Sequence, residues 1–180
     1  SFMHNGQFGG YDAFRRHADV LIPDEYYPHR KGATDSEALF LVALGCGLDQ
    51  NPKVAMERAL GLLGTLARQR GCAPHVRAAC ALSDGERLYA LRYSSDDQAP
   101  SLYHRWSESR QGWAVVSEPL ESDEADWTEV PPGSFCTFER DRVEVVPMVD
   151  AVEAGRLLAS GAAHELGTPL ATMAVILGDW

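Results

Sequence analysis

The chain has 180 residues, 45% of them hydrophobic and 23% charged, which is the balance of an ordinary globular protein long enough to bury one core. Sixteen Lys and Arg against 26 Asp and Glu leave a formal net charge of −10, which argues against a nucleic-acid or anionic-membrane surface. The longest apolar run, residues 38–48, is far shorter than the roughly 20 residues that span a bilayer, and no charged-then-apolar leader opens the chain, so a cytoplasmic protein is expected.

Residues 1–3 read as the end of a strand, and His4-Asn5-Gly6 then reads as a turn. Residues 11–20 carry mixed helical spacing and predict a short helix, followed by an ordered loop over 22–31 with two prolines and two tyrosines. Thr34-Asp35-Ser36-Glu37 fits a capping box and starts a helix through the apolar run 38–48. Asn51-Pro52 supplies an N-cap with proline at the first helical position. The helix that follows sets Val54, Leu60, Leu63 and Leu66 on its apolar side and ends at Gly71, so these two helices form an antiparallel pair.

After Pro74 the period becomes strand-like. Residues 76–82 and 87–93 flank Ser83-Asp84-Gly85-Glu86, a strong hairpin signal, and further strands are expected over 102–106, 113–117, 134–139 and 143–146. Helices followed by hairpin strands predict an α+β fold with an antiparallel sheet. Cys46, Cys72, Cys80 and Cys136 lack C-x-x-C spacing and read as mostly buried free thiols in a reducing compartment. His17, His29, His75 and His104 share no metal-ligand spacing and read as surface or packing residues, so no metal and no cofactor is expected.

Phe2-Met3-His4-Asn5-Gly6-Gln7, Gly9-Gly10 and Thr34-Asp35-Ser36-Glu37 together resemble the class II, N-terminal-nucleophile glutamine amidotransferases, in their compact YafJ-like branch. The likeness continues in order through residues 83–88, 92–95, 116–120 and 127–131, and so covers nearly all of residues 1–148. It implies a four-layer αββα sandwich with antiparallel sheets, of which this chain holds a part. It also implies a cysteine nucleophile at a mature N-terminus, which attacks glutamine or a small γ-glutamyl amide through a thioester.

By that resemblance Asn5 and Gly6 match the oxyanion-hole pair, and Asp35 matches the aspartate that binds the substrate's α-ammonium. Each motif also has a plain structural reading, Asn-Gly as a tight turn and Thr34 to Glu37 as a helix cap. His4 is read as positioning the turn, and Glu37 as the capping partner rather than an acid catalyst. The expected nucleophile and the arginine motif for the substrate carboxylate are not in the chain, and the four cysteines all lie in its interior. The polypeptide is therefore expected to lack glutaminase activity by itself, and to carry open sheet edges that favour association, including a homodimer.

Both ends read as cut, and the character changes at about residue 150. Residues 150–163 are rich in Ala and Leu and predict a C-terminal helix. Ala162-Ala163-His164-Glu165-Leu166-Gly167-Thr168-Pro169-Leu170 resembles the phosphoacceptor box of RegB-like sensor histidine kinases, in which His164 would take the phosphoryl group. The expected organisation is thus an amidotransferase part over 1–149 and a kinase-like helix over 150–180. Two alternative functions stand beside amide hydrolysis: a signalling fusion phosphorylated at His164, and a degenerate scaffold used for binding.

Overall fold

In a computed structural model of the chain, residues 1–72, 75–119, 126–140 and 142–149 are described. Strand β1 (Phe2–Phe8) comes first, followed by helices α1 (Tyr11–Ala18), α2 (Asp35–Gly45) and α3 (Pro52–Gln69). The remaining strands are β2 (Val76–Ser83), β3 (Leu88–Ser94), β4 (Tyr103–Ser107), β5 (Gly112–Val116), β6 (Thr128–Glu129), β7 (Ser134–Phe138) and β8 (Val143–Pro147). They form a five-stranded antiparallel sheet in the order β1-β2-β3-β7-β8 and a three-stranded one in the order β5-β4-β6.

Alternation along the strands assigns the two faces of the large sheet. Val76, Ala78, Cys80 and Leu82 of β2, with Tyr89, Leu91 and Tyr93 of β3, join Phe14, Leu39, Met56, Leu60 and Leu63 of the helices in one buried cluster. Ala79, Ala90, Cys136 and Phe138 form a second cluster that Trp113 and Val115 of the small sheet pack against. The described residues thus build helices, large sheet and small sheet as three successive layers. Strands β2 and β3 are covered on both faces, which is why they read as nearly unbroken apolar runs.

The helix starts follow their local chemistry. Thr34 Oγ1 accepts from the Glu37 amide at 3.3 Å, and Asn51 Oδ1 accepts from the Val54 amide at 3.2 Å. Glu37 does not return the bond to Thr34, as a capping box requires. Its carboxylate instead takes the Lys31 and Gly32 amides at 2.6 and 2.8 Å and Arg30 Nη1 at 3.0 Å. A nearly buried guanidinium in the preceding loop draws it away: Arg30 also meets Asp19, Tyr11 Oη and the Thr34 carbonyl. At the hairpin, Asp84 Oδ1 accepts from the Glu86 and Arg87 amides, and Gly85 takes a φ of 99°.

Two polar side chains tie the layers together. Arg92, on the second face, donates to the Pro100 carbonyl at 2.7 Å, to Glu129 at 2.6 Å and to the Val130 carbonyl at 2.8 Å, joining β3 to the segments around β4 and β6. Glu57 of α3 is buried, pairs with Lys53 at 2.6 Å, and accepts the Val149 amide at 2.8 Å, which fixes the chain leaving β8 against the helices. The expected boundary at about residue 150, the C-terminal helix and His164 lie outside the described residues. No described helix is long and apolar enough to cross a membrane.

Candidate functional site

His4-Asn5-Gly6 is not a turn: β1 runs straight through it, with Asn5 opposite Ala79 and Gly6 opposite Ala78 on β2. Asn-Gly favours a turn only when no partner strand is available, and β2 supplies one along the whole of β1. Glycine is needed here for a different reason. At Gly6 φ is +154°, and an added Cβ would lie 2.0 Å from the Arg77 carbonyl oxygen and 2.8 Å from His4 Nε2. The backbones of β1 and β2 approach too closely for any side chain.

Among the described residues, strand β1 is one of the two edges of the large sheet. In an antiparallel ladder alternate residues turn their N–H and C=O toward the partner strand. Ser1 exchanges both bonds with Ser83, and the Gly9 amide donates to His75, so the odd-numbered residues face β2. The even-numbered amides, including those of Gly6 and Phe8, therefore project from the open edge. The Phe8 amide donates to Asp35 Oδ2 at 2.9 Å. Asp35 Oδ1 in turn accepts the Ser36 amide at 2.8 Å, which holds the half-buried carboxylate against the edge.

Asn5, Gly6 and Asp35, singled out by the resemblance, are thus brought together on one edge although 29 positions separate the last two. The Gly6 and Phe8 amides lie two strand residues apart, roughly 7 Å. The Gly6 donor is thus set off along the edge from the carboxylate that the Phe8 amide holds. Asn5 is exposed, and its side chain leaves the strand on the face turned toward the small sheet, beside Ala79.

His4 lies on the helix side. Its Nδ1 is 2.8 Å from Ser36 Oγ, while the enclosed Nε2 has no hydrogen-bond partner of regular geometry. Burial pulls the ring's pKa below the ordinary 6.5, against opposing pulls from the Asp35 carboxylate and the Arg77 carbonyl. The residue lies within a strand rather than in the turn expected. Sequence reasoning missed Ser36 and the Phe8 amide, because the contact joining β1 to the start of α2 leaves no local signal.

The other candidates fall elsewhere. His104 is buried edge-on to Trp113 and Phe138, and His75 packs over Gly9 with Nε2 2.9 Å from Gln7 Nε2. Cys80 and Cys136 are buried, whereas Cys46 and Cys72 are only half-buried. Burial pushes the thiols of Cys46 and Cys136 up to about 11 and that of Cys80 higher still, so none of the three is poised as a thiolate. Among the described residues no group of three or more His, Cys, Asp or Glu is placed to hold a metal. Two cavities, of about 310 and 410 Å³, open between the β2–β3 hairpin and α2, and beside α1; neither is lined by Asn5, Gly6 or Asp35.

Comparison with known proteins bears on the family of the chain. No protein-family model matches the chain. A curated protein of Saccharomyces cerevisiae, "Probable glutamine amidotransferase DUG3", is 30% identical over 189 residues, an alignment covering 83% of this chain and 52% of that protein. The chain therefore spans about half the length of this curated relative. Among solved structures, a glutamine aminotransferase class-II domain protein (SPO2029) from Silicibacter pomeroyi matches with a TM-score of 0.78 and 54% identity, over 83% of this chain and 67% of that one.

Proposed function

The chain belongs to the class II glutamine amidotransferases, and we propose that it contributes the substrate-side half of a site hydrolysing glutamine or a small γ-glutamyl amide. The observation that carries this reading is the β1 edge. There an outward Gly6 amide, next to Asn5, stands about one glutamine length along the strand from a carboxylate fixed by the Phe8 amide. In this reading Gly6 N–H and the Asn5 amide donate to the oxyanion that forms when the γ-carboxamide is attacked. Asp35 accepts the α-ammonium and so discriminates against amides that lack it.

The nucleophile is a cysteine with a free α-amine, and the thioester forms on it. None of the four cysteines here fills that role: three have thiols raised by burial, and Cys72 Sγ sits 3.8 Å from the Gly10 carbonyl within the fold. The polypeptide 1–180 is therefore inert toward glutamine by itself. The compact YafJ-like branch and a γ-glutamyl substrate are the finer parts of this proposal. They are supported by the ordered motifs.

The test is to fuse the portion of the Silicibacter pomeroyi protein lying outside the matched region, then measure glutamate and ammonia release. Activity should appear, and Asn5→Ala should lower kcat by about a hundredfold or more, the usual effect of removing one oxyanion donor. A folded fusion whose glutaminase rate ignores Asn5 and Asp35 would show that the site lies elsewhere.

A further inference from the structure

Two hydrogen bonds join β1 to the start of α2, and they fall on either side of Gly6. Two residues before it, His4 Nδ1 meets Ser36 Oγ at 2.8 Å; two residues after it, the Phe8 amide meets Asp35 Oδ2 at 2.9 Å. The edge amide at Gly6 is thereby framed by consecutive residues of one helix start. Ser36 Oγ is also 3.5 Å from Asp35 Oδ1, so its single hydroxyl proton has two acceptors to choose between. Which it takes depends on His4.

The tautomer of the ring and the groups around it bear on the choice. The enclosed Nε2 lies on the Arg77 side without a hydrogen-bond partner of regular geometry; with the proton there, the Nδ1 lone pair accepts from Ser36. The charged group facing the ring from α2 is Asp35. From β2 comes the Cys80 thiol, directly opposite in register and kept neutral by burial. The Arg77 guanidinium is turned to the other face, where it pairs with Asp96. In that tautomer neutral His4 draws the Ser36 hydroxyl toward itself and away from Asp35.

We propose that His4 and Ser36 form a positioning pair that keeps Asp35 Oδ1 open for the substrate's ammonium. Protonating His4 reverses the bond: Nδ1 donates to Ser36 Oγ, and the hydroxyl turns to Asp35 Oδ1. The carboxylate then holds one more internal donor and faces a nearby imidazolium, and both changes compete with a bound ammonium. The proposal deepens the reading of Asp35 given above and rests on it.

The hydrogen-bond arrangement can be read on the chain as it stands, without ligand. Nitrogen shifts of the His4 ring at neutral pH should report the Nε2–H tautomer; an Nδ1–H tautomer overturns the proposal. On acidification the Phe8 amide and the Asp35 carboxyl carbon should show an inflection at the His4 midpoint, below the ordinary histidine range. The carboxyl-carbon inflection should shrink to less than half in Ser36→Ala and return in Ser36→Thr. An Asp35 resonance that ignores the His4 titration, or an unchanged inflection in Ser36→Ala, also overturns it. L-Glutamine affinity should then fall about fivefold across that midpoint, the worth of one hydrogen bond, and lose this dependence in His4→Gln. If the tautomer and the coupling hold but L-glutamine does not bind, the substrate assignment fails while the pair's geometry stands.

Discussion

Replacing Gly6 by alanine tests whether the two strands approach as closely as the structure shows. An ideal Cβ there would sit 2.0 Å from the Arg77 carbonyl oxygen, 2.8 Å from its carbon and 2.8 Å from His4 Nε2. Ordinary contacts begin more than an ångström beyond the first of these, and β2 cannot yield easily because it is paired with β1 on one side and β3 on the other. Overpacking of this kind costs roughly 1–3 kcal/mol and a strained positive φ a similar amount, so about 4 kcal/mol is expected. Gly85→Ala isolates the dihedral part: its φ is +99°, but nothing lies within 4 Å of the added carbon, so about 1–2 kcal/mol is expected. Urea unfolding measures both. With a slope near 2 kcal/mol per molar, Gly6→Ala should lower the midpoint by about 2 M and Gly85→Ala by less than half as much. Equal shifts would refute the close approach, and with it the reason given for glycine in the middle of a strand.

Arg30 is 6% exposed in its side chain and serves Asp19, Glu37, Tyr11 and Thr34, so Arg30→Met should destabilise the fold by about 2 kcal/mol and loosen residues 30–37, measurable by urea unfolding and amide exchange. The hydrogen bond from Arg77 lowers the Asp96 carboxyl to about 2, so its contribution is full above the unfolded value near 3.8 and lost as pH falls toward 2. The gap in Tm between the wild type and Asp96→Asn should therefore be constant above about pH 5 and close by about pH 2. Toward a thiol reagent near pH 8, half-buried Cys72 should label first and Cys46 slowly. Cys80 and Cys136 should label only on unfolding, and labelling of Cys136 at the rate of Cys72 would contradict the packing.

What the sequence made legible was what local chemistry decides. Thr34 and Asn51 cap the helices expected of them, and the Asp84-Gly85 hairpin turns where its residues require. The two-residue strand β6 carried no pattern long enough to see. Glu37 was misjudged because a guanidinium seven residues earlier outweighs its capping partner. Asn5-Gly6 was misjudged in shape, since turn propensity is overridden when β2 pairs with every residue of β1. Asn5, Gly6 and Asp35 were nevertheless singled out, because the ordered motifs name them whatever the backbone does. Their meeting place could not be found that way. It depends on which amides of an edge strand face outward, and on a helix start 27 residues from Phe8 that fills one of them.

The most direct test of the central claim is calorimetric titration of L-glutamine and of its analogue lacking the α-amine, against the wild-type chain and Asp35→Asn. Glutamine should bind the wild type about tenfold or more tightly than the analogue, and Asp35→Asn should erase that difference while leaving analogue binding unchanged. Equal affinity of the wild type for both compounds, or a preference for glutamine that survives Asp35→Asn, would contradict the assignment of this edge as the substrate-side half of an amidotransferase site.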